Sequence, residues 1–172
     1  MRFRGRCFRG HDPGWSFTPS SGEGARLKGG RFNRPGKPAL YLSTAYDTAI
    51  GECTQGLANR IPPLTLCEYD VDCDPVADLS TDAARAALGV ALKDLACPWL
   101  RLMEDGKPVP SWEVAERMEA EGFVGMLVPS FFPGAGADHV NLILFKWGDE
   151  PPTFVSVYDP ANRLPKDRSS WE

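Results

Sequence analysis

Gly29-Gly30-Arg31-Phe32-Asn33 places a fixed cation directly after two glycines. The glycines let the backbone turn tightly and come close to a ligand. Arg31 carries a planar fork of donors that matches phosphate or ribose oxygens. Tyr41 follows in the apolar run Ala39-Leu40-Tyr41-Leu42, where its ring is suited to stacking and its hydroxyl needs a partner. Glu52 sits among Ala49, Ile50 and Cys53, on the inward side of a helical pattern. A carboxylate there costs free energy unless it is paired or hydrogen-bonded. Glu52 is therefore either an anion held for chemistry or the partner of Arg31 in a buried ion pair. Ser130 and Asn141 each put a small polar side chain at the end of an apolar strand, after Val128-Pro129 and before Leu142. Clefts in which a few donors and acceptors orient a ligand have this character. Turn or cap duty is the plainer alternative for both.

These residues must be positioned by elements that the patterning outlines. Phe3 to Phe8 alternates with arginine as a first strand, and Arg2, Arg4 and Arg6 fall on one face, where solvation alone accounts for them. Gly10 to Gly30 is a long segment carrying Trp15 and Phe17, which points to an ordered loop lying over the fold. Ala39 to Leu42 is suited to a buried strand, and Thr44 to Gln55 has helical spacing with Ser43 or Thr44 as N-cap. Leu64 to Val71 predicts a strand. Thr81 opens a helix that Gly89 closes, and a further helical segment runs from Val90 to Cys97. Ser111 caps a helix with Trp112, Ala115 and Met118 on one face. Gly125–Val128 and Asn141–Trp147 predict two core strands, and Phe154–Tyr158 an edge strand. The expected architecture is one mixed α/β (α+β) domain, residues 1–172, with the sheet at its core.

Composition narrows the function classes. A chain of 172 residues with 42% hydrophobic and 24% charged residues buries a core without disulfide or metal staples. Its formal net charge of -4 argues against a nucleic-acid binder. No apolar run approaches a membrane span and no signal-peptide stretch opens the chain, so the cytoplasm is the expected location. The five cysteines form no C-x-x-C pair and are expected as free thiols. His11 and His139 belong to no ligand-spaced cluster, and no metal site is expected.

In order and approximate spacing, GGRFN (29–33), ALYLS (39–43), TAIGE (48–52), LVPS (127–130) and NLILF (141–145) resemble the RES-domain family. Phe8-Arg9-Gly10-His11-Asp12-Pro13 is similar to the family's opening, with Arg9 as its early arginine. The arginine, glutamate and serine that name the family correspond to Arg31, Glu52 and Ser130. One departure stands out, since Phe131 and Phe132 follow the serine where relatives often carry small residues or an arginine. The resemblance implies a mostly antiparallel sheet like that of diphtheria-toxin-type ADP-ribosyltransferases. It implies a toxin that consumes NAD as its substrate, with no further cofactor, and an Xre-type helix-turn-helix antitoxin as partner. ADP-ribose would pass to a cellular protein, or alternatively to water or phosphate in an NAD glycohydrolase or phosphorylase. In this reading Glu52 steadies the oxocarbenium ion formed as nicotinamide leaves. Arg31 and Arg9 hold pyrophosphate or ribose, Tyr41 stacks on nicotinamide, and Ser130 and Asn141 orient the amide or the adjoining ribose.

Overall fold

The strand at Phe3–His11 (β1) is longer than its arginine alternation suggests, because its whole length pairs antiparallel with Thr65–Cys73 (β3), from Phe3 opposite Cys73 to His11 opposite Thr65. The computed structural model describes residues 1–54 and 60–169. In β3 the period is two, with Cys67, Tyr69, Val71 and Cys73 buried and the residues between them more exposed. The face opposite the core carries acids that meet the N-terminal arginines. Arg2 donates to both oxygens of Asp72 at 2.6 Å, and Arg6 lies 3.4 Å from Glu68. The basic cluster is thus a charge-paired, solvated surface.

Around this pair a seven-stranded sheet is built, with Leu40–Ser43 (β2), Val76–Asp78 (β4), Gly125–Pro129 (β5), Val140–Leu144 (β6) and Thr153–Val157 (β7). The order is β4-β5-β6-β2-β1-β3-β7, and every pairing is antiparallel except β4 with β5. β7 lies at one edge of the sheet, in agreement with the edge strand expected at Phe154–Tyr158. The expected mixed, mostly antiparallel α/β sheet is the architecture found.

Both faces of the sheet are covered. Cys7, Leu40, Leu42, Tyr69, Leu127 and Leu144 share one core, while Met126, Val128 and Ile143 belong to a second. Against that second face packs the helix Pro110–Ala120 (α6), which contributes Val114, Ala115 and Met118. Its apolar residues recur at three and four positions, so one stripe faces the sheet. The remaining helices are Glu23–Lys28 (α1), Tyr46–Cys53 (α2), Asp82–Ala87 (α3), Leu92–Leu95 (α4) and Trp99–Glu104 (α5).

Several boundaries differ from expectation. The segment 10–30 is ordered, but it also holds a short turn at Pro13–Trp15 and the helix α1. α2 starts later than Ser43 or Thr44 would place it, with extended Ala45 as its N-cap, because Ser43 and Thr44 are tied to β6. Gln55, its expected end, lies outside the described residues. Thr81 does cap α3, accepting from the amide of Ala84, and Gly89 follows it with φ of 62°. Ser111 does not cap α6. Val109 holds that position, and Pro110 begins the helix, where its missing N–H costs nothing. All five cysteines are free, and burial pushes the Cys7 thiol up to about 12.

Candidate active site

Strand parity explains where the polar residues gather. Ser43 ends β2 and pairs with Asn141 at the start of β6, which in turn lies opposite Val128 of β5. Ser130 follows two residues after Val128, so Ser43, Asn141 and Ser130 project on the same face. α2 crosses β1 and β2 beside them and delivers Glu52. The Ser130 hydroxyl donates to Glu52 Oε1, and Asn141 Nδ2 donates to the same oxygen at 2.6 Å. Asn141 is itself oriented by the Ser43 hydroxyl, which donates to its Oδ1 at 2.7 Å. Ser43, Asn141 and Ser130 are buried and Glu52 is half-buried. The chain Ser43–Asn141–Glu52–Ser130 thus holds one carboxylate oxygen with two fixed donors.

The GGRFN turn is fastened just as firmly. Tyr41 donates from its hydroxyl to Asn33 Oδ1 at 2.7 Å and accepts from the amide of Phe32 at 2.9 Å. Asn33 Nδ2 donates to the carbonyls of Ala25, Arg34 and Lys37. Gly30 is required by this arrangement, since a Cβ there would stand 2.6 Å from the Tyr41 hydroxyl oxygen. Gly29 has φ of 73°, a conformation that favours glycine. From α6, Trp112 Nε1 donates to the Gly30 carbonyl at 2.7 Å and the Ser111 hydroxyl donates to the Arg31 carbonyl. Ser111 therefore serves the arginine's backbone and not a helix end.

The Arg31 side chain is aimed by two backbone carbonyls that sequence reasoning missed and by the ring of Phe131. Its Nη1 donates to the carbonyls of Cys97 at 2.8 Å and Leu95 at 3.3 Å. Its guanidinium carbon lies 4.8 Å from the centre of the Phe131 ring. Such a contact constrains the plane of the fork. Burial lowers the Arg31 pKa, opposed by Cys97, Glu52 and Tyr41, and the group stays charged. The unusual aromatic pair after Ser130 thereby gains an account. Phe131 supports Arg31, and Phe132 packs on Gly51 of α2, where a Cβ would approach its ring to 2.8 Å.

A cleft of about 440 Å³ joins these parts, lined by Arg9, Arg31, Tyr41, Glu52, Phe131 and Asn141 among others. Of the six residues singled out from the sequence, five line it, and Ser130 stands behind Glu52. Arg9, Lys28 and Arg31 set three cations against the single carboxylate of Glu52 in a chain that is acidic overall. A concave wall with that balance focuses a positive potential and suits an anionic ligand. Arg9 also shapes the rim: its Nη1 donates to the carbonyls of Pro19 at 2.8 Å and Ser21 at 2.9 Å. Pro19 accepts from Tyr69 Oη as well, and the Ser20 carbonyl accepts from Trp147 Nε1. Among the described residues, no group of three or more His, Cys, Asp or Glu side chains is placed to hold a metal ion.

Comparison with known proteins gives this geometry a context. The RES domain model matches residues 6–167. A chain of the crystal structure of the M. tuberculosis MbcT–MbcA toxin–antitoxin complex superposes with a TM-score of 0.62 at 22% identity, covering 92% of this chain and 84% of that one. No curated protein matches the sequence.

Proposed function

The chain belongs to the RES domain family, and from that premise we propose that it is a toxin that cleaves the nicotinamide–ribose bond of NAD and passes ADP-ribose to a cellular protein. The observation that carries this reading is the Glu52 carboxylate, held on one oxygen by Ser130 and Asn141 and facing a cation-lined cleft. When the glycosidic bond breaks, its electron pair leaves with nicotinamide, which departs neutral, and positive charge builds on the ribose. No general acid is needed, because the leaving group begins as a cation. A pre-oriented anion beside the forming oxocarbenium ion lowers the barrier without reorganising. Glu52 supplies it, and Ser130 and Asn141 act through Glu52 as positioning residues. A nucleophile on the acceptor then bonds to the ribose carbon and loses its proton. Arg31 grips pyrophosphate or ribose oxygens. Arg9, already tied to the rim, adds its charge to the pyrophosphate side, and Tyr41 offers its ring to nicotinamide while its hydroxyl holds the turn.

The likeness to a chain of a toxin–antitoxin complex supports an antitoxin as partner. We take it to be of the Xre helix-turn-helix type and to neutralise the toxin in the cytoplasm by covering the cleft. The deciding experiment incubates the purified chain with labelled NAD and a cell lysate, followed by mass spectrometry. ADP-ribose on a protein is expected. Free ADP-ribose or ADP-ribose phosphate alone would assign water or phosphate as acceptor, and no nicotinamide release would refute NAD cleavage.

A further inference from the structure

Beside the main cleft, and sharing Arg9, His11 and Gly24 with it, lies a recess of about 70 Å³ closed by Trp15, Thr18 and Pro19. It is small, with room for roughly two water volumes or a polar group of that size. Three buried side-chain atoms have no hydrogen-bond partner among the described residues: both ring nitrogens of His11 and the hydroxyl of Thr18. Both residues line this one recess. Buried polar groups are otherwise nearly always satisfied, and leaving them unmade has a cost.

The chemistry of the recess is specific. Burial, with the Arg9 charge second, brings the His11 pKa down to about 4, against a smaller opposing effect of Asp12, so the ring is neutral at physiological pH. A neutral imidazole offers one donor and one acceptor, and a threonine hydroxyl offers one of each. The nearby cation does not turn the recess into an anion cradle, because Arg9 Nη1 is engaged by the carbonyls of Pro19 and Ser21. A phosphate would find too few donors there. An uncharged group with a donor next to an acceptor would find a complement.

We propose that His11 and Thr18 form a subsite that takes an uncharged donor–acceptor group of the ligand, a carboxamide or a vicinal diol. The proposal rests on the NAD reading, since NAD carries both groups: the carboxamide on nicotinamide and the diols on its riboses. His11 and Thr18 are binding residues in this assignment, and neither takes part in bond breaking.

The test uses Thr18→Val and His11→Leu in the full chain, each measured for thermal midpoint and for binding of nicotinamide and of ADP-ribose. Replacing an unpartnered buried polar group by an apolar one of similar shape leaves folding stability unchanged or raises it. The midpoints are therefore expected to hold or rise, while affinity for one probe falls roughly three- to tenfold in each variant, the loss of one neutral hydrogen bond. Loss confined to nicotinamide assigns the carboxamide, and loss confined to ADP-ribose assigns a diol. Unchanged affinity for both probes in both variants overturns the subsite and leaves the NAD reading standing. A drop of several degrees in both midpoints also overturns it, because the atoms would then serve the fold. Failure of the wild-type chain to bind either probe removes the subsite and the NAD reading together.

Discussion

Glu52→Gln separates charge from shape at the centre of the cleft. Ser130 and Asn141 both donate to Oε1, so the carbonyl oxygen of glutamine accepts the same two hydrogen bonds. Weakening two charge-assisted bonds while relieving a half-buried charge changes stability by about 1 kcal/mol or less, which shifts the midpoint by no more than about 4 °C in a chain of this size. Catalysis has no such compensation. A carboxylate about 4 Å from a unit positive charge contributes about 4 kcal/mol at an effective dielectric near 20, roughly a thousandfold in rate. The carboxylate is only half-buried, and solvent trims the effect towards a hundredfold. Nicotinamide release at saturating NAD is therefore expected to fall about 100- to 1000-fold, with a much smaller change in NAD affinity, because the interaction is strongest when the charge has moved onto the ribose in the transition state. Chromatography of released nicotinamide, with calorimetry for binding and thermal midpoint, reads all three quantities. A folded, NAD-binding variant within about fivefold of wild-type turnover would falsify the catalytic role. A midpoint lower by about 10 °C would instead identify Glu52 as the partner of a buried charge, whose loss costs about 3–5 kcal/mol.

Three further outcomes follow from the surrounding geometry. Arg31→Lys keeps the charge but loses the fork held by the Leu95 and Cys97 carbonyls, so NAD affinity is expected to fall about tenfold or more by calorimetry; a change within twofold would contradict the role. Phe131→Ala removes the ring under that guanidinium, lowering kcat/KM about three- to thirtyfold with little change in midpoint, and Phe131→Trp should restore most of it; equal activity in Ala and Trp variants would rule out support through the ring. His11 is neutral when folded down to about pH 4 but titrates near 6.5 when unfolded, so between those values the unfolded chain binds the extra proton. Its contribution to stability is full above about pH 6.5 and is lost as pH falls towards 4, so His11→Leu should flatten the decline of the midpoint across that window, and parallel declines would exclude the effect.

The sequence made α6 and the core strands legible because their apolar residues repeat at periods of 3.6 and 2 against a single buried face. α1 was not legible: six residues, Glu23–Lys28, bracketed by Gly22 and Gly29, have little helical preference of their own, and the helix rests on tertiary context. Likewise the segment 90–97 yields only the four residues of α4, and Pro98 restarts the chain as α5. At the site, order along the chain picked out Arg31, Glu52, Ser130 and Asn141, but not what they touch. That Ser130 and Asn141 converge on Glu52 follows from the register placing Asn141 opposite both Ser43 and Val128, and register is a tertiary property. In the sequence Phe131 stands out only as a departure from the family's pattern. An aromatic ring placed to meet a guanidinium from a turn a hundred residues earlier leaves no local signature.

The long reach of these contacts has a consequence for synthesis. Glu52 leaves the ribosome well before the groups that orient it, since Ser130 follows by 78 residues and Asn141 by 89. Translation at about 5–20 residues per second separates these events by seconds. During that interval the chain holds an unpositioned carboxylate and no β6 to close the sheet beside β2 and β5. In the proposed function, a product that stops short of Asn141 lacks the positioned carboxylate, and NAD cleavage is expected to begin only after β6 has docked. On the same reading, the delay gives an antitoxin made alongside it time to be present when the site first becomes competent.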